Sequence, residues 1–205
     1  MTSIQSVSLE VVDPSVADAF YRDAFGLGDS VRLRAAKAPS TGFRGFTLSL
    51  VVSNRATVDA LVRAAIDAGA TSLKPVAKQL WGGYSGVVQA PDGTIWKIAT
   101  DAKKDAGSAT REIDGIVLLL GVADMRESKR FYVDRDLTVA KSFGSKYIEF
   151  DAPPGAVKLG LYKRRALAKD ANVSPDGSGS HRIVIGADAG SFIDPDGFAW
   201  DAAPV

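Results

Sequence analysis

The chain has no cysteine and only one histidine, His181, among its 205 residues. Disulfides, thiolate metal sites and thiol nucleophiles are excluded, and imidazole chemistry has a single address. Net charge is equally scarce. Twenty-five basic residues face 24 acidic ones, a formal +1, so no overall field draws in nucleic acid, an anionic membrane or a polycationic drug. No run approaches the ~20 apolar residues of a membrane-spanning helix. The opening MTSIQSVSLEVVD has neither the basic n-region nor the apolar h-region of a signal peptide. No Ser-His-Asp order, zincin motif or Rossmann fingerprint is found. The expectation is a cytoplasmic protein with no nucleic-acid and no membrane partner.

What is present is an internal repeat. Val7 to Leu27 returns as Val117 to Leu137: an apolar strand runs into Asp13 or Asp124, and a Phe-Tyr pair follows seven residues later. Downstream, APDGTIWK (Ala90 to Lys97) returns as DPDGFAWD (Asp194 to Asp201). Repeats determine architecture before any local reading does.

The repeat and hydrophobic periodicity predict an α+β fold of tandem βαβββ modules. Ile4 to Val12 alternates as a half-buried strand. Asp13 caps a helix with Pro14 in its first turn and Val16, Phe20 and Ala24 on one face. Ala38 to Gly45 reads as a loop and Phe46 to Val52 as a strand. Asn54 then caps a helix with Val58, Leu61, Val62, Ala65 and Ile66 at core spacing. Pro91-Asp92-Gly93 predicts a tight turn between strands. Asp124 and Glu127 form a capping-box pattern. Arg164 to Ala171 reads as a short helix whose basic residues, Lys163 to Lys169, form a solvated face, and Val173 to Ser180 as a loop. The polar stretch 102–112 is the expected linker between halves 1–101 and 113–205. Residues 44–101 and 112–162 make two full modules; 1–40 and 178–205 are trimmed. The trimmed units leave sheet edges, which either complement each other within the chain or are covered by a second copy in a homodimer.

Strand–Asp–helix–Phe-Tyr, then Trp-Gly-Gly-Tyr-Ser-Gly (Trp81 to Gly86), then Pro-Asp-Gly-x-x-Trp (Pro91 to Trp96), resembles the vicinal oxygen chelate superfamily. That family includes glyoxalase I, extradiol dioxygenases and the fosfomycin- and bleomycin-resistance proteins. The resemblance implies paired modules curled into a cup that holds a divalent metal on His, Gln or Glu from first strands and Glu from last strands. Placed by that pattern, the ligand positions are Ser6, Phe46 or Thr47, Val117 and His181 on first strands, and Lys97 and Asp201 on last strands. A catalytic site needs about three imidazole or carboxylate ligands. Lys97 supplies a cation, and only His181 and Asp201 have suitable chemistry. No metal and no cofactor are expected.

Three functions follow. The first is metal-free binding of a small organic molecule against an aromatic wall of Trp81, Tyr84 and Phe43, with Arg44 and Lys97 as polar handles. The second is a divergent metal-dependent lyase or dioxygenase built on His181 and Asp201. The third is a non-catalytic structural or dimerisation role. Each has a simpler counterpart: His181 as a strand-start residue bonded to backbone, Lys97 turned outward or paired with Asp92 or Asp101, and Trp96 and Trp200 as core.

Overall fold

The structure, a computed structural model, describes residues 2–79, 82–104 and 107–202. Trp81 lies outside the described residues. In chain order the elements are β1 (Ile4–Val11), α1 (Pro14–Ala24), β2 (Val31–Ala35), β3 (Ser40–Gly42), β4 (Phe46–Val51), α2 (Arg55–Asp67), β5 (Thr71–Lys78), β6 (Tyr84–Gln89) and β7 (Ile95–Thr100). They continue as β8 (Gly115–Val122), α3 (Met125–Val133), β9 (Val139–Ser142), β10 (Tyr147–Phe150), β11 (Lys158–Lys163), α4 (Arg164–Ala171), β12 (Gly177–Gly179), β13 (Ile183–Ala187), β14 (Phe192–Ile193) and β15 (Ala199–Ala202).

The helix starts follow the predicted chemistry. The Asp13 carboxylate accepts from the backbone N–H groups of Ser15 and Val16, and Asp124 does the same for Arg126 and Glu127. Asn54 accepts from Thr57. Each satisfies donors that a helix N-terminus otherwise leaves orphaned. Two predicted core positions are corrected. Val16 is 63% exposed and Ile66 42% exposed. The buried stripe of α1 is Ala17, Phe20, Tyr21 and Ala24 instead, one position round the helix.

The sheets join units that are distant in sequence. One sheet of eight strands runs β5-β6-β7-β4-β8-β11-β10-β9, placing the two full modules side by side through antiparallel β4 and β8. A five-stranded sheet runs β14-β15-β13-β1-β2 and is built from the two trimmed units. Residues 1–40 and 178–205 thus complement each other within the chain, through β1 against β13 and through β3 against β12. Each sheet takes strands from both sides of the 102–112 segment. Strands β3 and β12 replace the loops expected there; Gly and Ser carry little strand propensity, so pairing across some 137 residues leaves no local signal.

A single large apolar cluster joins one face of each sheet with α1, α2 and α3. Trp96 and Trp200 are fully buried in it, as core positions. The two sequence echoes meet there. The Tyr21 hydroxyl donates to Asp92 at 2.6 Å and lies 3.3 Å from the Trp96 indole N–H. In the second copy, Tyr132 donates to Asp194, two positions earlier in the turn, while Asp196 holds Ser128 and the Ala123 N–H. The repeated Phe-Tyr and Pro-Asp-Gly-x-x-Trp motifs are therefore ties between helix and turn. Burial raises both tyrosine hydroxyls well above their ordinary range, and the adjacent carboxylates add to it. They stay protonated and donate.

Candidate functional site

Strand register decides where ligand corners would lie. Across the eight-stranded sheet, Lys97 pairs with Ser49, Ser49 with Val117, and Val117 with Lys158. The residue level with Lys97 and Val117 on β4 is therefore Ser49, not Phe46 or Thr47; Phe46 points into the main core. The row reads Lys–Ser–Val–Lys. Two cations, one hydroxyl and one alkyl group cannot replace the carboxylates and imidazoles a divalent ion requires. In the five-stranded sheet the corresponding row is Ser6, Gly186 and Asp201. The residue level with Ser6 and Asp201 on β13 is Gly186, and His181 lies five residues before it, ahead of the strand and of the left-handed backbone at Arg182. The hydrogen bonds of His181 go to Arg44 and Asp196, not to Asp201. Among the described residues no group of three His, Asp or Glu side chains is placed to hold a metal ion.

His181 is fully engaged by backbone. Its Nδ1 faces the Arg44 carbonyl and its Nε2 lies 3.1 Å from the Asp196 carbonyl, with the ring stacked on Phe198 at 4.0 Å. It ties the start of β4 to the turn before β15. Asp201 is exposed on β15.

The face of the eight-stranded sheet that carries the Lys–Ser–Val–Lys row is covered by α4. Leu167, Ala168 and Ala171 pack with Phe43, Val87, Ile95 and Leu119 into a second apolar cluster. Gly121 allows the close approach: a Cβ there would sit 3.0 Å from the Arg164 Cα and 2.9 Å from the Gly45 carbonyl oxygen. Lys97 pairs with Asp170 of α4 at 2.9 Å, rather than with Asp92 or Asp101. Beyond it, Glu149 accepts from Tyr147 at 2.7 Å and meets Lys141 and Lys158 at 3.5 Å. Burial raises the Glu149 carboxyl, but the Tyr147 hydroxyl and the two ammonium groups outweigh it and hold the group below its ordinary value. Lys163, Arg165 and Lys169 are exposed as expected for a solvated face. Arg164 is not: it turns inward, donating to the carbonyls of Pro175 (3.1 Å) and Phe43 and stacking over the Phe43 ring at 5.2 Å.

Space is found beside α4 instead. A cavity of about 350 Å³ opens between the β6–β7 turn, the start of β4 and the segment after α4, walled by Phe43, Ile95 and Val173 with Gln89, Thr94 and Asp176 as polar lining. A second cavity of about 400 Å³ lies between the start of α1 and the same turn, lined by Val11, Phe20, Asp92 and Arg182 among others. Ser40 and Arg44 line both. Arg44 bridges them because its guanidinium donates to the Asp92 carbonyl, against the Gly93 backbone. Burial lowers its pKa from the ordinary value; Asp92 opposes this and the like charge of Arg182 adds to it.

Of the expected ligand wall, Phe43 and Arg44 line this space. Tyr84 does not: it opens β6 and turns to α2, where its hydroxyl donates to Asp59 at 2.9 Å and Arg55 lies over its ring. Lys97 faces α4. Sequence reasoning missed Ser40, Gln89, Val173 and Arg182. Ser40 and Arg182 flank the β3–β12 pairing, so nothing short of that pairing marks them.

No protein-family model and no curated protein matches the chain. Solved structures do. Glyoxalase I from Zea mays matches at a TM-score of 0.64 and 15% identity, over 98% of this chain and 91% of that one. A putative dioxygenase from Bacillus subtilis subsp. subtilis str. 168 matches at 0.55 and 11% identity, over 89% of this chain and 69% of that one. The fold is the glyoxalase/bleomycin resistance/dioxygenase type that the motifs resemble. At such identities the likeness concerns fold, and function has to be argued from the site.

Proposed function

We propose that this chain binds a small organic molecule in the paired cavity around Arg44, and that it does so without a divalent metal. One observation carries the reading: about 350 Å³ and about 400 Å³ of space, each within the size range of ligand sites, meet at one partly buried guanidinium between apolar walls. The Lys97–Ser49–Val117–Lys158 row supports the second half, because it offers cations where a chelate needs anions. The face that carries this row is covered by α4 through Leu167, Ala168 and Ala171.

Thermal-shift screening of the full chain against a mixed collection of neutral, anionic and cationic metabolites tests this. Hits should stabilise the wild-type chain without added metal. They should lose their effect in Val173→Trp, which fills the first cavity, or in Arg44→Met. Hits that appear only with Mn, Fe, Ni, Co or Zn, or no hits from any class, would contradict it.

A further inference from the structure

The cavity between α1 and the β6–β7 turn holds donors that none of the described residues uses. Arg182 Nε and Ser40 Oγ are buried and have no hydrogen-bond partner among the described residues. Neither Arg182 nor Arg44 joins an ion pair among those residues, although the two are close enough to repel. Two carboxylates share the lining, so the formal charge balances, but both are committed. Asp13 caps α1, and Asp92 accepts from Tyr21 and from the Thr94 N–H at 2.6 Å. The buried polar atoms left without a partner around the cavity are Arg182 Nε and Ser40 Oγ. Leaving a buried donor unpaired is destabilising, more so for a charged group.

The backbone singles out the same residue. Among the described residues three that are not glycine have positive φ: Asp136, Asn172 and Arg182, at 61°, 60° and 54°. Asp and Asn adopt this region with little penalty; a long side chain such as Arg rarely does. The same lining includes apolar side chains, with Val11, Ala17 and Phe20 buried and Val12 (81% exposed) and Val16 (63% exposed) at its edge. An unpaired guanidinium N–H and an unpaired hydroxyl in a cavity that also holds alkyl groups match a planar two-oxygen anion carrying an apolar tail.

We propose that this cavity takes an organic monocarboxylate, its oxygens held by Arg182 and Ser40 and its hydrocarbon tail against Val11, Ala17 and Phe20. The proposal rests on the small-molecule reading and names the ligand class for it. It places the ligand outside the sheet face where the fold would hold a metal.

Calorimetric titration of the full chain with octanoate, octanamide and octylamine separates the possibilities, since the three share a tail and differ in head group. Octanoate should bind at least about tenfold more tightly than either of the others. Arg182→Met should weaken octanoate by about tenfold or more while leaving octanamide nearly unchanged, and Ser40→Ala should weaken it by a few-fold. Circular dichroism shows whether each variant is folded; Ser40→Ala, a smaller change, carries the test if Arg182→Met is not. Equal binding of octanamide, absence of octanoate binding, or octanoate affinity untouched in both variants would overturn the carboxylate site. If the metabolite screen still yields metal-independent hits, the small-molecule reading survives that result; if it yields none, both fall.

Discussion

Glu149 is a charged residue on the α4-covered face whose partners can be named. This half-buried carboxylate is stabilised by a tyrosine hydroxyl and two lysines. Because its folded-state value lies below the ordinary glutamate value of about 4.3, it adds stability that is complete above that pH and is lost as the pH falls through the folded value. Glu149→Gln should therefore be less stable than wild type by about 1 kcal/mol at pH 7, with the gap closing towards pH 3, as read by urea denaturation at the two pH values. A gap that widens on acidification would contradict the sign. At the same scale, the caps at Asp13, Asn54 and Asp124 were fully legible, because capping is a local bargain between a side chain and the next three N–H groups. The register that replaces His181 by Gly186 was not legible, since it is set by pairing with β1 and β15.

Among the elements, α4 changes the meaning of the fold most. Its helical character was readable from Arg164 to Ala171, but a stripe of Leu167, Ala168 and Ala171 does not say which surface it covers. It lies across the sheet face that carries Lys97. Apolar packing should dominate this attachment. Leu167→Ala removes a fully buried side chain and should cost about 2–5 kcal/mol. Lys97→Met removes only a partly exposed ion pair and should cost under about 1 kcal/mol. Thermal denaturation of the two variants checks the order. A larger loss from Lys97→Met would mean that the ion pair, not the apolar stripe, holds the helix. The inward turn of Arg164 has the same lesson: a basic run looks solvated until a neighbouring aromatic ring and two free carbonyls are brought to it from residues 43 and 175.

At the scale of the whole molecule, the repeat specified the modules, and pairing specified what they became. Two full modules joined through β4 and β8, and two trimmed ones closed on each other through β1 and β13. The identity of each unit was visible in the Phe-Tyr and Pro-Asp-Gly-x-x-Trp echoes, which are tied by Tyr21 to Asp92 within the motif in the first copy and by Tyr132 to Asp194 just before it in the second. The cavity around Arg44 was only half visible, through Phe43 and Arg44, because its other walls come from segments brought in by long-range strands. Both sheets keep the fold's shape while their ligand rows hold Lys97, Ser49, Val117 and Lys158 in one and Ser6, Gly186 and Asp201 in the other. We propose that rows of this composition hold no divalent ion. This is tested most directly by plasma mass spectrometry of the chain after equilibration with Mn, Fe, Ni, Co and Zn and removal of excess ion at neutral pH. Far less than one bound ion per chain is the predicted result. One ion retained per chain, and displaced when Lys97 or Asp201 is altered, would contradict it.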